Sequence, residues 1–109
     1  MSGRHLFTFG FETPTDFHRN KEHGWDDESS TALWILADSA ADALQWGQIL
    51  AQDYVSWLFR DEQGARYSWA EAGFANWIET DARRLSEAGA CEALPSVTVG
   101  ELPDFTTMG

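Results

Sequence analysis

The sequence predicts an α+β fold: a two-layer sandwich in which helices cover an antiparallel or mixed sheet of three or more strands. Three observations carry this expectation. Residues 5–11 alternate phenylalanine with Thr8 and Gly10, the period of two that marks a half-buried strand. Residues 39–58 repeat apolar side chains at the 3.6-residue period of a helix. The remaining apolar runs give the order β-β-α-α-α-β, so strands from both ends of the chain meet in one sheet with the helices packed on it.

The first strand, 5–11, places Phe7, Phe9 and Phe11 on one face. Pro14 follows it and has no N–H to donate to a ladder. Residues 12–30 are polar and irregular and read as a long loop, with room for one helical turn at Thr15–Asn20. Long loops in compact domains are commonly functional. The second strand, 31–37, is almost continuously apolar, as a central strand buried on both faces would be. It is most simply an antiparallel neighbour of the first.

Ser39 caps the helix 39–58, and Asp42 sits where a carboxylate meets the free N–H groups of the first turn. Ala40, Ala43, Leu44, Gly47, Leu50, Ala51, Tyr54, Val55 and Leu58 form its apolar stripe. Gly47 lies in the middle of that stripe, where close approach to the sheet accounts for it. Gln45, Gln48, Gln52 and Ser56 take the opposite face, and Ile49 projects from that polar back. Asp61, Glu62, Gln63 and Gly64 read as a turn. Ser68 and Glu71 have capping-box spacing ahead of a helix 68–79. Thr80 caps a third helix, 81–88, which Gly89 stops. The last strand, 96–101, lies between Pro95 and Pro103, and the tail from Asp104 is expected to fray.

Residues 1–109 are expected to form a single domain, since a chain of this length hides roughly two-thirds of its unfolded surface. Met1–Arg4 leads directly into the first strand without a signal-type segment, and no apolar run is long enough to span a bilayer. The one cysteine, Cys91, cannot form an internal disulfide, which favours a reducing, cytoplasmic compartment. The net charge of −11 repels nucleic acid and anionic lipid and attracts cationic partners. Only seven basic residues occur, and Arg83–Arg84 is their one adjacent pair. Direct nucleic-acid binding and membrane association are therefore not expected.

Chemistry-bearing residues are sparse. His18, His23, Asp26, Asp27 and Glu28 cluster in the 12–30 segment, but their spacing matches no zinc pattern, so no metal or cofactor is expected. Cys91 lacks the surroundings of a catalytic cysteine. The carboxylate pairs Asp26/Asp27, Asp61/Glu62 and Glu79/Asp81 fall in turns or at helix ends. Phosphate-binding loops, dinucleotide fingerprints and hydrolase motifs are all missing from the sequence, and no enzymatic activity is expected.

The aromatic residues point elsewhere. Trp46 and Trp57 lie along one edge of the apolar stripe of helix 39–58, with Asp53 between them, and Trp25 adjoins Asp26, Asp27 and Glu28. Indole rings beside carboxylates suit the binding of a basic protein, although a covering helix 68–79 would also account for Trp46 and Trp57. The expectation is a small acidic binding protein that inhibits or docks onto a basic partner. Immunity proteins, antitoxins and nucleic-acid-mimic inhibitors share this general profile. Two alternatives stand beside it: a self-assembling structural or adaptor subunit, such as a homodimer paired through an edge strand, and a ligand-binding domain or enzyme with 12–30 as a lid.

Overall fold

Alternation in the phenylalanine-rich segment becomes the spine of the sheet. The computed structural model describes residues 3–24, 28–62, 67–91 and 94–108. Strands β1 (Gly3–Phe11) and β2 (Ser29–Ala37) pair antiparallel along their whole length, with Gly3 opposite Ala37 and Phe11 opposite Ser29. Strand β3 (Asn76–Ile78) pairs antiparallel with the other edge of β1, and β4 (Ser96–Thr98) runs parallel to β2. The order is β3-β1-β2-β4. The helices are α1 (Pro14–His23), α2 (Ala40–Leu58), α3 (Trp69–Ala72) and α4 (Ala82–Gly89). Helix α2 lies across the mixed sheet, and together they make the two-layer α+β sandwich.

The layer between them is apolar and aromatic. Phe7, Phe9 and Phe11 of β1 and Leu33, Ile35 and Ala37 of β2 are buried with Ala43, Leu50, Ala51, Tyr54 and Val55 of α2. Gly47 lets the helix approach: a Cβ there would sit 2.5 Å from Cδ1 of Phe7. Trp69 closes the end of this layer, its ring edge-on to Phe9 and its indole N–H donating to the Gly10 carbonyl at 2.8 Å. On the opposite face of the sheet Leu6 and Trp34 are also buried, and the Arg4 guanidinium lies 4.1 Å over the Trp34 ring. Both faces of β2 are thus covered, as its apolar run implies. Helix α4 reaches this second face at Gly89, where a Cβ would touch Arg4 at 3.6 Å.

Several sequence expectations change. Within 12–30, the loop gives way to the ten-residue helix α1: Thr13 accepts from the Asp16 N–H, Pro14 fits the first turn, and Gly24 ends the helix at φ 71°. The helix expected over 68–79 stops after one turn. Ser68 does cap it, accepting from the Glu71 N–H, but Gly73 takes the left-handed conformation at φ 75°, and Asn76–Ile78 then completes the β1 ladder. The strand expected over 96–101 ends at Thr98, because the chain turns at Val99 and Gly100, where φ is 96°. Helix α4 is capped by Asp81, not Thr80, and extends through Gly89 to a cap at Ala90.

The tail expected to fray packs back onto α2 as far as Met108. Trp46 donates its indole N–H to the Glu101 carbonyl at 2.9 Å, and Tyr54 donates its hydroxyl to the Met108 carbonyl at 3.0 Å. Phe105 packs on Tyr54 and Trp57, and Met108 is buried.

Tyr67 anchors α1. Its ring stacks on Phe17 and stands edge-on to Phe59, while its hydroxyl accepts from the Glu12 N–H and donates to the Glu12 carbonyl. Burial pushes the phenol up to about 12. The phenol of the unfolded chain ionises near its ordinary value of 10, so the folded state holds this proton more tightly. Stability supplied by neutral Tyr67 is therefore complete below pH 10 and declines as pH rises toward 12. Chemical denaturation across that window should show the decline, and Tyr67→Phe should flatten it.

Candidate functional site

The sequence of α2 leaves one face with nothing from the sheet to pack on. Ser39 starts the helix by accepting from the Asp42 N–H at 3.1 Å, which sets the Asp42 carboxylate beside the positive end of the helix dipole. Positions 42, 45, 49, 52 and 56 then recur at alternate steps of three and four, which keeps them in line on the side away from the core. Asp42, Gln45, Gln48, Ile49, Asp53 and Ser56 are all exposed. Gln52 is half-buried, because its side-chain oxygen accepts from Ser68 Oγ and from the Ala70 N–H and so fixes α3 beside α2. No lysine, arginine or histidine occurs anywhere in α2.

Ile49 is the apolar centre of this strip and is 48% exposed. A hollow lies on each side of it. The first, of about 260 Å³, is walled by Asp38, Asp42, Trp46, Ile49, Thr98 and Val99, so it spans the groove between α2 and the β2–β4 end of the sheet. Val99 is 43% exposed and adds a second apolar surface. The Trp46 ring is held in the groove wall by the bond from its indole N–H to Glu101. The Glu101 carboxylate in turn accepts from the Thr98 N–H at 3.0 Å, securing the turn that carries Val99. The second hollow, of about 390 Å³, is shallow and lined by Gln45, Gln48, Ile49, Gln52, Asp53 and Ala70. The two share Gln45 and Ile49. Chemically the face offers aliphatic and indole surface between carboxylates.

The residues singled out from the sequence fare differently. Trp46 lines the groove, and Asp53 stands exposed at the far end of the same strip. Trp57 is half-buried among Tyr54, Phe105 and the Arg60 guanidinium, which lies 4.3 Å over its ring. Its cover is the chain's own tail and not a helix 68–79. Glu28 is exposed, with its carboxylate over Gly10, where a Cβ would meet it at 3.0 Å on the face of the sheet away from α2. Trp25, Asp26 and Asp27 lie outside the described residues. Asp38, Asp42, Ile49 and Val99 belong to the face but were not marked as binding residues. A lone isoleucine on a polar helix back, seven residues from one aspartate and four from another, was the available signal.

Other chemistry finds no focus. His18 lies 3.5 Å from Glu62 on the surface, and Cys91 is exposed. Among the described residues, no three histidine, cysteine or acidic side chains gather closely enough to hold a metal. No described helix is long and apolar enough to cross a membrane. No protein-family model matches this chain, nor does any curated protein or solved structure.

Proposed function

We propose that this chain is a small acidic binding protein that docks onto a basic protein partner through the outer face of α2 and the adjoining groove. The observation that carries the reading is the groove itself: Trp46, Ile49 and Val99 offer apolar surface beside Asp38 and Asp42, on a chain of net charge −11. Fixed aromatic and aliphatic surface supplies the desolvated contact of an interface, and surrounding carboxylates draw in a cationic partner and orient it. In this reading the chain acts by occupying its partner, as immunity proteins and antitoxins do, and performs no catalysis. A cytoplasmic setting suits the single exposed thiol of Cys91.

The self-assembling alternative is less well supported by the same face. A second copy of α2 would bring Asp42 and Asp53 of each chain onto one surface with no cation from either helix. Like charges brought together in this way oppose association.

Two measurements on a captured partner test the proposal. The association rate should fall about tenfold or more as ionic strength rises from about 0.01 to about 0.15 M, because the screening length shrinks from roughly 30 to roughly 8 Å. A rate flat in salt would count against electrostatic steering. Ile49→Asp should weaken binding by about 10- to 30-fold, from loss of an apolar anchor worth about 1.5–2 kcal/mol, while an exposed side chain leaves folding almost unchanged. Unchanged affinity would remove the groove from the interface.

A further inference from the structure

Resting on that reading, we infer that the partner presents a basic amphipathic α-helix that lies along α2, seating an apolar side chain on Ile49 and cations at Asp42 and Asp53.

Three features of the face select a helix over other shapes. First, the strip is straight and regular. Asp42 and Asp53 are eleven residues apart, about three turns and roughly 16 Å at 1.5 Å per residue, and both point to the same side as Ile49. A second helix packed alongside at a shallow angle has the same rise, so its own positions i and i+11 meet both carboxylates together. Second, Ile49 forms a ridge between two hollows, the arrangement that takes side chains from successive turns of a neighbouring helix. Third, strand addition at the sheet edge beside the groove is obstructed. Strand addition needs free backbone groups on a sheet edge, and at β4 the outward N–H of Thr98 is already bonded to the Glu101 carboxylate at 3.0 Å.

Charge selects the sign of the occupant. The strip carries Asp42 and Asp53 with no basic residue on α2, and Asp38 adds a third carboxylate at the groove mouth. A nucleic-acid backbone or an anionic bilayer would be repelled. Glutamines at 45, 48 and 52 border the apolar centre; Gln45 is exposed to offer its side-chain amide to a polar flank of the incoming helix, whereas the Gln48 amide donates to Asn76 Oδ1 at 3.0 Å and leaves its carbonyl as acceptor.

The test uses the full chain and three synthetic peptides of equal length and net charge. The first is a helical peptide with lysines at i and i+11 and leucines at i+4 and i+7, which presents the required pattern in either chain direction. The second moves its two lysines to the opposite helical face. The third is interrupted by proline so that it stays extended. Binding is followed by amide shifts in nitrogen–proton correlation spectra. The first peptide should perturb amides of residues 42–53 and Val99, bind at least tenfold more tightly than either control, and lose that advantage on Ile49→Asp. If the extended peptide binds the same amides equally well, the helix inference fails while the basic-partner reading survives. If no cationic peptide perturbs these amides, or all bind alike elsewhere, both fail.

Discussion

Replacing Phe9 by alanine is expected to remove about 3–5 kcal/mol of folding stability, the range for emptying a fully enclosed aromatic site. Phe9 is completely buried, and its ring meets four others: Phe7 at 5.4 Å, Phe11 at 5.7 Å, and Tyr54 and Trp69 edge-on at 5.9 Å each. Two of these neighbours cannot move in to fill the space. Trp69 is tied by its indole N–H to Gly10, and Tyr54 by its hydroxyl to Met108. A site whose walls are pinned by hydrogen bonds collapses poorly, which places the loss toward the upper end. Against a total of about 5–15 kcal/mol for a typical domain, such a loss leaves the chain near its unfolding midpoint or beyond it. Urea denaturation should show a lower midpoint with an unchanged slope, and Phe9→Leu, which keeps more of the volume, should lose less. A loss below about 1.5 kcal/mol, the usual ceiling for a volume-conserving swap, would mean that the site relaxes freely and that the pinned-wall account is wrong.

The second large effect runs against helix propensity. Gly47→Ala places a better helix former in the middle of α2, and on an exposed face it would stabilise by about 1 kcal/mol. Here the added methyl would lie 2.5, 2.6 and 2.7 Å from Cδ1, Cγ and Cε1 of Phe7. Phe7 has no room to retreat, since it is fully buried and stacked on Phe9. The helix must lift from the sheet, and overpacking of this kind typically costs about 1–3 kcal/mol. The expected net result is a destabilisation of about 1–2 kcal/mol, once the propensity gain is subtracted from the upper part of that range. A rise in thermal midpoint would show instead that the gap between α2 and β1 has slack.

Both substitutions act where the sequence is most informative. Phe7, Phe9 and Phe11 declare a strand by alternation, and Gly47 declares close approach by its place in an apolar stripe. Those two patterns are enough for the α2-on-sheet core, because each is repeated over many residues. The short elements were not legible in the same way. Residues 68–79 contain helix-compatible apolar spacing, and a single glycine at 73 decides whether the helix continues. Asn76–Ile78 is a strand only because β1 offers an open edge, a tertiary fact that three residues cannot encode. The tail illustrates the same limit. Phe105 and Met108 look unremarkable in a polar terminus until Tyr54 and Trp57 supply the place they occupy. For the candidate site, Trp46 and Asp53 were visible from the helical wheel. Val99 reaches the groove from the turn after β4, so only the pairing of β4 with β2 brings it to α2.

The unequal lengths of the strands have a consequence for how the molecule yields. Strands β1 and β2 share a nine-residue ladder, whereas each outer strand contributes three residues. The sheet therefore has a long central pair flanked by two short outer strands, and elements held by few ladder bonds open at lower free-energy cost than a long ladder. Val99, on the groove's far wall, follows the short outer strand beside β2. Val99 is nevertheless tied to the long ladder, its N–H donating to the Leu36 carbonyl at 3.1 Å, so the groove wall facing Ile49 should keep its shape until β2 itself opens.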